Sequence, residues 1–150
     1  MDLNTAIICA GSNINPEDNI KKAGEILLKE LDVPACARLL RTKPVGFTDQ
    51  PDFINTAFLV RTGLEHAALA EYLKSVETRL GRVRTGNKFG PRTIDLDIAV
   101  FNGVITDPDV FERDFLRELI LELMPELQGN FSLLDMKGKN HGAGNQGRPV

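Results

Sequence analysis

Tryptophan is absent from the 150 residues, tyrosine occurs once, and cysteine and histidine occur twice each. Two cysteines exclude the disulfide framework that staples small secreted domains. Cys9 lies in one apolar, strand-like run and Cys36 in a second, without metal-ligand spacing between them, so both are expected to be reduced core thiols. Long apolar runs are missing as well. Ala6 to Ala10 is too short for a membrane span or a signal-peptide core, and no basic segment precedes it; a cytoplasmic chain with no membrane partner is expected. Nor is there an excess of positive charge. A formal net charge of -3 argues against a nonspecific nucleic-acid binder, and the lack of an aromatic-rich strand motif disfavours an RNA-recognition module.

With 42% apolar residues the chain can bury one core, expected over residues 1–128. Gly, Asn, Lys and Gln then accumulate around His141, which predicts a flexible or loosely docked tail over 129–150. Thr5 to Ala10 reads as a central first strand ending in the turn Gly11-Ser12-Asn13. Asn15 and Pro16 suit the start of a helix with Glu17 and Asp18 in its first turn and Ile20, Ala23, Leu27 and Leu31 on its buried stripe. A second strand is expected over Cys36–Thr42 and a third up to Thr62, with Phe53, Asn55, Ala57 and Leu59 on one face. Leu69, Tyr72, Leu73, Val76 and Leu80 mark a second helix; its Glu77 is either a solvated charge, the reading spacing alone favours, or a partner that positions an arginine of the following loop, and His66 reads as surface. A strand from Thr93 to Phe101, a turn at Asn102-Gly103 and a helix started by Asp107-Pro108 and ended near Pro125 complete the order. This is an α+β chain of the ferredoxin-like split βαβ kind, an antiparallel sheet with helices packed mainly on one face.

Residues 81 to 97 concentrate the chemistry. Asp95 and Asp97 share a strand face with Cα atoms roughly 6.5 to 7 Å apart, a spacing that suits either arginine pairing on a wet surface or a hard cation such as Mg²⁺. Arg82, Arg84 and Arg92 offer planar forks that match phosphate oxygens bidentately, and Lys88 adds a point charge. Gly86, Gly90 and Pro91 suggest a loop that closes over phosphates. Asn55 is an amide on a mostly apolar face: it either bonds a nearby turn or reads the polar edge of a heterocycle lined by Phe53. Phe115 reads as ordinary core by its spacing.

Gly90-Pro91-Arg92-Thr93-Ile94-Asp95-Leu96-Asp97 resembles the signature of the 6-hydroxymethyl-7,8-dihydropterin pyrophosphokinase family. The opening Ala-Gly-Ser-Asn, the lead-in Asp49-Gln50-Pro51-Asp52 and the segment Glu112-Arg113-Asp114-Phe115 resemble it in the same order. The resemblance, over Thr5 to Leu127, implies transfer of pyrophosphate from ATP to a reduced pterin in folate biosynthesis, with two Mg²⁺ ions. It implies that Asp95 and Asp97 ligate metal, and that Arg82, Arg84, Lys88, Arg92 and Arg113 hold phosphates, with Arg82 and Arg92 acting in catalysis. Phe53, Phe89 and Phe115 would enclose the pterin while Asn55 and backbone near Thr42 and Val45 read its edge. Two departures stand out. Phe89 takes the place of the family's usual lid tryptophan, and the connection from Val104 to Glu112 is short and lacks the family's Pro-His pair, so the nucleotide half is expected to bind more weakly. The alternative is a pterin-binding relative with weak or no kinase activity.

Overall fold

The computed structural model describes residues 3–83, 91–131 and 148–150. Strand β1 (Asn4–Ser12) leads into helix α1 (Pro16–Glu30), then β2 (Asp32–Cys36), β3 (Leu40–Thr42) and β4 (Phe53–Thr62). Helix α2 (His66–Arg79), the hairpin of β5 (Asp95–Phe101) and β6 (Val104–Ile105), a 3-10 turn (Pro108–Phe111) and helix α3 (Asp114–Leu123) follow. A second 3-10 turn (Pro125–Leu127) and β7 (Arg148–Pro149) complete the described order.

The sheet runs β6-β5-β1-β4-β3-β7, with β2 also paired to β4 and every pairing antiparallel. The two β-α-β passages interleave so that β1 lies between β4 and β5, as the split βαβ expectation requires. Asn102 and Gly103, with φ of 49° and 78°, make the tight turn into β6. Two successive positive φ angles are what a two-residue hairpin needs, and Asn-Gly tolerates them.

Alternation along β1 builds two cores. Ala6, Ile8 and Ala10 face α1 and α2 and meet Ile20, Leu27, Leu69, Leu73 and Val76. Ile7 and Cys9 face the other way, toward Phe115, Leu116, Leu119 and Ile120 of α3. Helices α1 and α2 therefore cover one face and α3 the opposite one, which leaves part of that second face open beside it. Glu30 joins α1 to α2 by accepting from Tyr72 Oη at 2.7 Å and from Arg79 at 2.8 and 2.9 Å.

Several local readings change. The expected strand 36–42 is two strands on one edge, interrupted where Ala37 N–H donates to Ala57 O at 2.8 Å and Ala37 O accepts from Thr56 Oγ1 at 2.8 Å. Asn15 does begin α1, but in the left-handed region with no side-chain cap; Asn19 Nδ2 instead donates to Ile14 O at 2.5 Å. The helix expected from Asp107 is divided: Asp107 caps the 3-10 turn by accepting from Asp109 N–H at 3.0 Å, and α3 starts separately at Asp114. At the end of the chain Phe131 is buried in the second core, and β7 pairs Leu40 with Pro149 and Arg41 with Arg148. The rest of the expected tail lies outside the described residues.

Candidate active site

The open part of the second face is a cleft of about 750 Å³ whose floor is formed by the ends of β5, β1 and β4. Register fixes its contents. Asp95 on β5 pairs with Gly11 on β1, which pairs with Asn55 on β4, which pairs with Leu40 on β3. One step along, Asp97 pairs with Cys9 and Cys9 with Ala57. Since neighbouring strands lie about 4.8 Å apart, Asp95 and Asn55 are separated by roughly 10 Å of floor with Gly11 between them. A methyl group on Gly11 would come within 2.8 Å of Asn55 Oδ1, so its missing side chain keeps this floor clear.

At the β4 end, buried Asn55 donates from Nδ2 to Thr42 Oγ1 at 2.7 Å, which fixes its orientation and leaves Oδ1 toward Gly11. Phe53, Lys43, Val45 and the buried Phe115 line the same end. Of the two readings of Asn55, its bond is to a side chain of the neighbouring strand, and its face borders the cleft.

At the β5 end, Arg82 Nη1 donates to Glu77 Oε2 at 2.8 Å and to Asp95 Oδ1 at 2.9 Å, while Arg92 Nη1 donates to Asp95 Oδ2 at 2.8 Å. Both oxygens of Asp95 are thus occupied by arginine. Asp97 borders the cleft with its side chain exposed; partial loss of hydration among the neighbouring groups, then the charges of Asp95 and Asp107, push its carboxyl up to about 8. Asp107 shifts upward as well, chiefly through burial. Cys9, beneath them, is buried as expected and raised far above the ordinary thiol range by burial and by the same aspartates, so it is an inert thiol there, whereas Cys36, expected in the core, is exposed at the end of edge strand β2.

A surplus of close carboxylates that holds a proton near neutral pH is the environment a divalent cation relieves. Among the described residues no three His, Cys, Asp or Glu side chains converge as a metal cage. Asp95 and Asp97 therefore fit Mg²⁺, which takes one or two carboxylates and completes its shell from phosphate and water, better than they fit a structural metal.

Beyond the β5 edge the cleft continues over Ala70, Leu73 and Lys74 of α2 and Ile98 and Thr106. Arg113 lines the mouth and pairs with Asp109 at 3.6 Å. Arg84, Lys88 and Phe89 lie outside the described residues. Glu77 corrects the sequence reading: it is 3% exposed, and besides holding Arg82 it accepts from Leu96 N–H at 2.7 Å. Its position four residues after Leu73, on the buried stripe, was the available signal. His66 is exposed as expected, edge-on to Phe101 at 5.4 Å between centroids.

Residues 7–125 match the 7,8-dihydro-6-hydroxymethylpterin-pyrophosphokinase family. The chain belongs to this family. Among similar proteins, a 2-amino-4-hydroxy-6-hydroxymethyldihydropteridine pyrophosphokinase of Bacillus subtilis is 32% identical over 136 residues, 83% of this chain and 81% of that protein. The Haemophilus influenzae protein of the same name is 31% identical over 134 residues, 82% of this chain and 83% of its own length. A folate synthesis bifunctional protein of Arabidopsis thaliana is 34% identical over 129 residues, 82% of this chain but only 27% of that longer protein. Gly11, which lines the cleft, and Asn13, which bonds Arg92 beside it, are residues that the sequence reading passed over. It treated Gly11-Ser12-Asn13 as a plain turn, because nothing local shows that β1 ends between the two strands that carry the ligand groups.

Proposed function

We propose that the chain transfers an intact pyrophosphoryl group from ATP to the hydroxymethyl group of 6-hydroxymethyl-7,8-dihydropterin, releasing AMP, in folate biosynthesis. The observation that carries this is the order of groups along one cleft. An amide pocket with aromatic walls lies at the β4 end, an arginine-carboxylate centre at β5, and a mainly apolar shelf at α2. That order suits a heterocycle, a polyphosphate and a nucleotide base in turn.

The hydroxymethyl oxygen attacks the β-phosphorus and gives up its proton to solvent, and the bond from that phosphorus to the oxygen bridging it to the α-phosphate breaks, so that the oxygen leaves with AMP. Little covalent chemistry is asked of the protein, so positioning and charge stabilisation carry the rate. Asn55, with Phe53 and Phe115, would fix the pterin so that its hydroxymethyl group points along the floor past Gly11. Asp95 and Asp97 would hold Mg²⁺, two ions in the family's pattern, which neutralises phosphate charge when bound. Arg82 and Arg92 rest on Asp95, and phosphate oxygens would compete for the same forks. Buried Glu77 keeps Arg82 aimed at the centre during that exchange. A cytoplasmic location goes with ATP as co-substrate and with two free cysteines.

Incubation with ATP, Mg²⁺ and the reduced pterin should yield AMP in equal amount to pterin consumed. ADP as the stoichiometric product would refute the proposal, and pterin binding without any AMP would make the chain a binding protein.

A further inference from the structure

Asn13 is 3% exposed and spends its whole carboxamide on two segments that lie on different sides of the cleft. Its Nδ2 donates to Gln50 Oε1 at 2.8 Å and to Pro51 O at 3.0 Å, in the loop that follows Lys43 and Val45 and leads into Phe53. Its Oδ1 accepts from Arg92 N–H at 2.8 Å, and its own N–H donates to Arg92 O at 3.1 Å. Asn13 therefore grips the backbone of the residue whose guanidinium reaches Asp95, and grips the pterin-side loop with the same amide.

We propose that Asn13 is a positioning residue that couples the two substrate pockets, so that filling the pterin pocket favours the Arg92 position that meets phosphate, and the reverse. This rests on the pyrophosphokinase reading and deepens it. The loop 43–52 is largely exposed, and within it Gln50 Nε2 donates to Phe47 O at 2.6 Å. A pterin that orders this loop fixes Gln50 and Pro51, which removes freedom from Asn13 and hence from the Arg92 backbone. A nucleotide that fixes Arg92 acts back through the same bonds, because coupling of binding free energies is reciprocal. The amide is required in this orientation. Gln50 cannot simply turn its own NH₂ toward residue 13, since that group is engaged by Phe47 O.

The test is the ratio of pterin dissociation constants without and with α,β-methylene ATP and Mg²⁺, measured by calorimetry. Allosteric coupling of ordinary strength gives a ratio of about 5 to 150 in the unaltered chain. Asn13→Asp retains an acceptor for Arg92 N–H but loses both donors to the loop, and the ratio should fall to within about twofold of unity. Ser12→Ala removes the 2.5 Å bond to Thr93 O and the longer 3.5 Å contact to Arg92 O, both on the nucleotide side, without touching the bonds to the pterin loop, and should keep the ratio. A merely structural Asn13 would lower both affinities together and leave the ratio unchanged; that result overturns the inference while the functional reading stands. An unaltered chain that binds neither ligand would overturn both. If Asn13→Asp does not fold, Gln50→Ala removes one acceptor from the exposed loop and should cut the ratio severalfold; an unchanged ratio there also refutes the coupling.

Discussion

Replacing Gly11 with alanine separates recognition of the pterin from stability of the sheet. The backbone at Gly11 lies outside the left-handed region, so an L residue is allowed there, but its methyl would lie 2.8 Å from Asn55 Oδ1 and 3.9 Å from the Phe53 ring. The first contact cannot persist. The Asn55 carboxamide must rotate, and its 2.7 Å bond to Thr42 Oγ1 is lost at a cost of about 0.5 to 1.5 kcal/mol. Alanine returns about 0.4 to 1 kcal/mol by restricting the unfolded chain, so net stability should change by about 1 kcal/mol or less. Pterin binding has no such compensation. The misdirected amide forfeits one or two hydrogen bonds to the heterocycle, and affinity should fall about 10- to 100-fold, or 1.4 to 2.7 kcal/mol. Thermal unfolding and calorimetric titration with the reduced pterin read the two effects separately. Gly24→Ala, whose methyl would meet the Phe58 ring at 3.4 Å inside α1, is the control and should be neutral or more stable by up to about 1 kcal/mol. Pterin affinity within twofold of the unaltered chain in Gly11→Ala would refute the claim that Asn55 reads the pterin across Gly11.

Other outcomes follow from the arginine-carboxylate centre. Glu77→Ala leaves Arg82 and the Leu96 N–H without a buried acceptor and should destabilise by about 3 to 5 kcal/mol, measured by denaturant unfolding; a loss below 1 kcal/mol would show that water replaces it. Arg82→Ala and Arg92→Ala should each slow single-turnover transfer about 30- to 1,000-fold, and unchanged rates in both would remove them from the mechanism. Asp97, raised from 3.8 to about 8 in the folded metal-free chain, keeps a proton that the unfolded chain has lost. Its contribution to stability is therefore full below about pH 4 and declines as pH rises to about 8. Melting temperatures across that window should fall less steeply in Asp97→Asn, and Mg²⁺ should raise the midpoint more at pH 8 than at pH 6; parallel profiles for the two proteins would contradict the assignment.

The elements with strong periodicity were legible from sequence. The stripe of α1, the alternation in β4 and the Asn-Gly turn after β5 all stand where residue spacing put them, because each is specified within its own segment. The failures are tertiary. Pro34 and the brevity of the Asp32–Cys36 segment hide β2, which exists because β4 offers Arg61 to Phe58 as an edge. Asp95 and Asp97 were readable as a pair, yet the grip of both arginines on Asp95 depends on where Gly81, at φ 90°, turns the chain out of α2. Glu77 was misread because an acidic residue on a helix is usually solvated, and only the neighbouring β5 edge, with Leu96 N–H unsatisfied, makes burial favourable.

The central position of β1 also bears on how the protein acquires its activity. The Asp95–Gly11–Asn55 row joins three stretches far apart in the chain, and neither flanking pairing is a local hairpin. Such pairings pay loop-closure entropy before any contact rewards them, so they form late in folding. Refolding followed by pterin fluorescence should therefore lag behind the appearance of helix: ligand capture reports the last strand to arrive, and a nascent chain released before β5 has docked would hold its helices while remaining blind to its substrate.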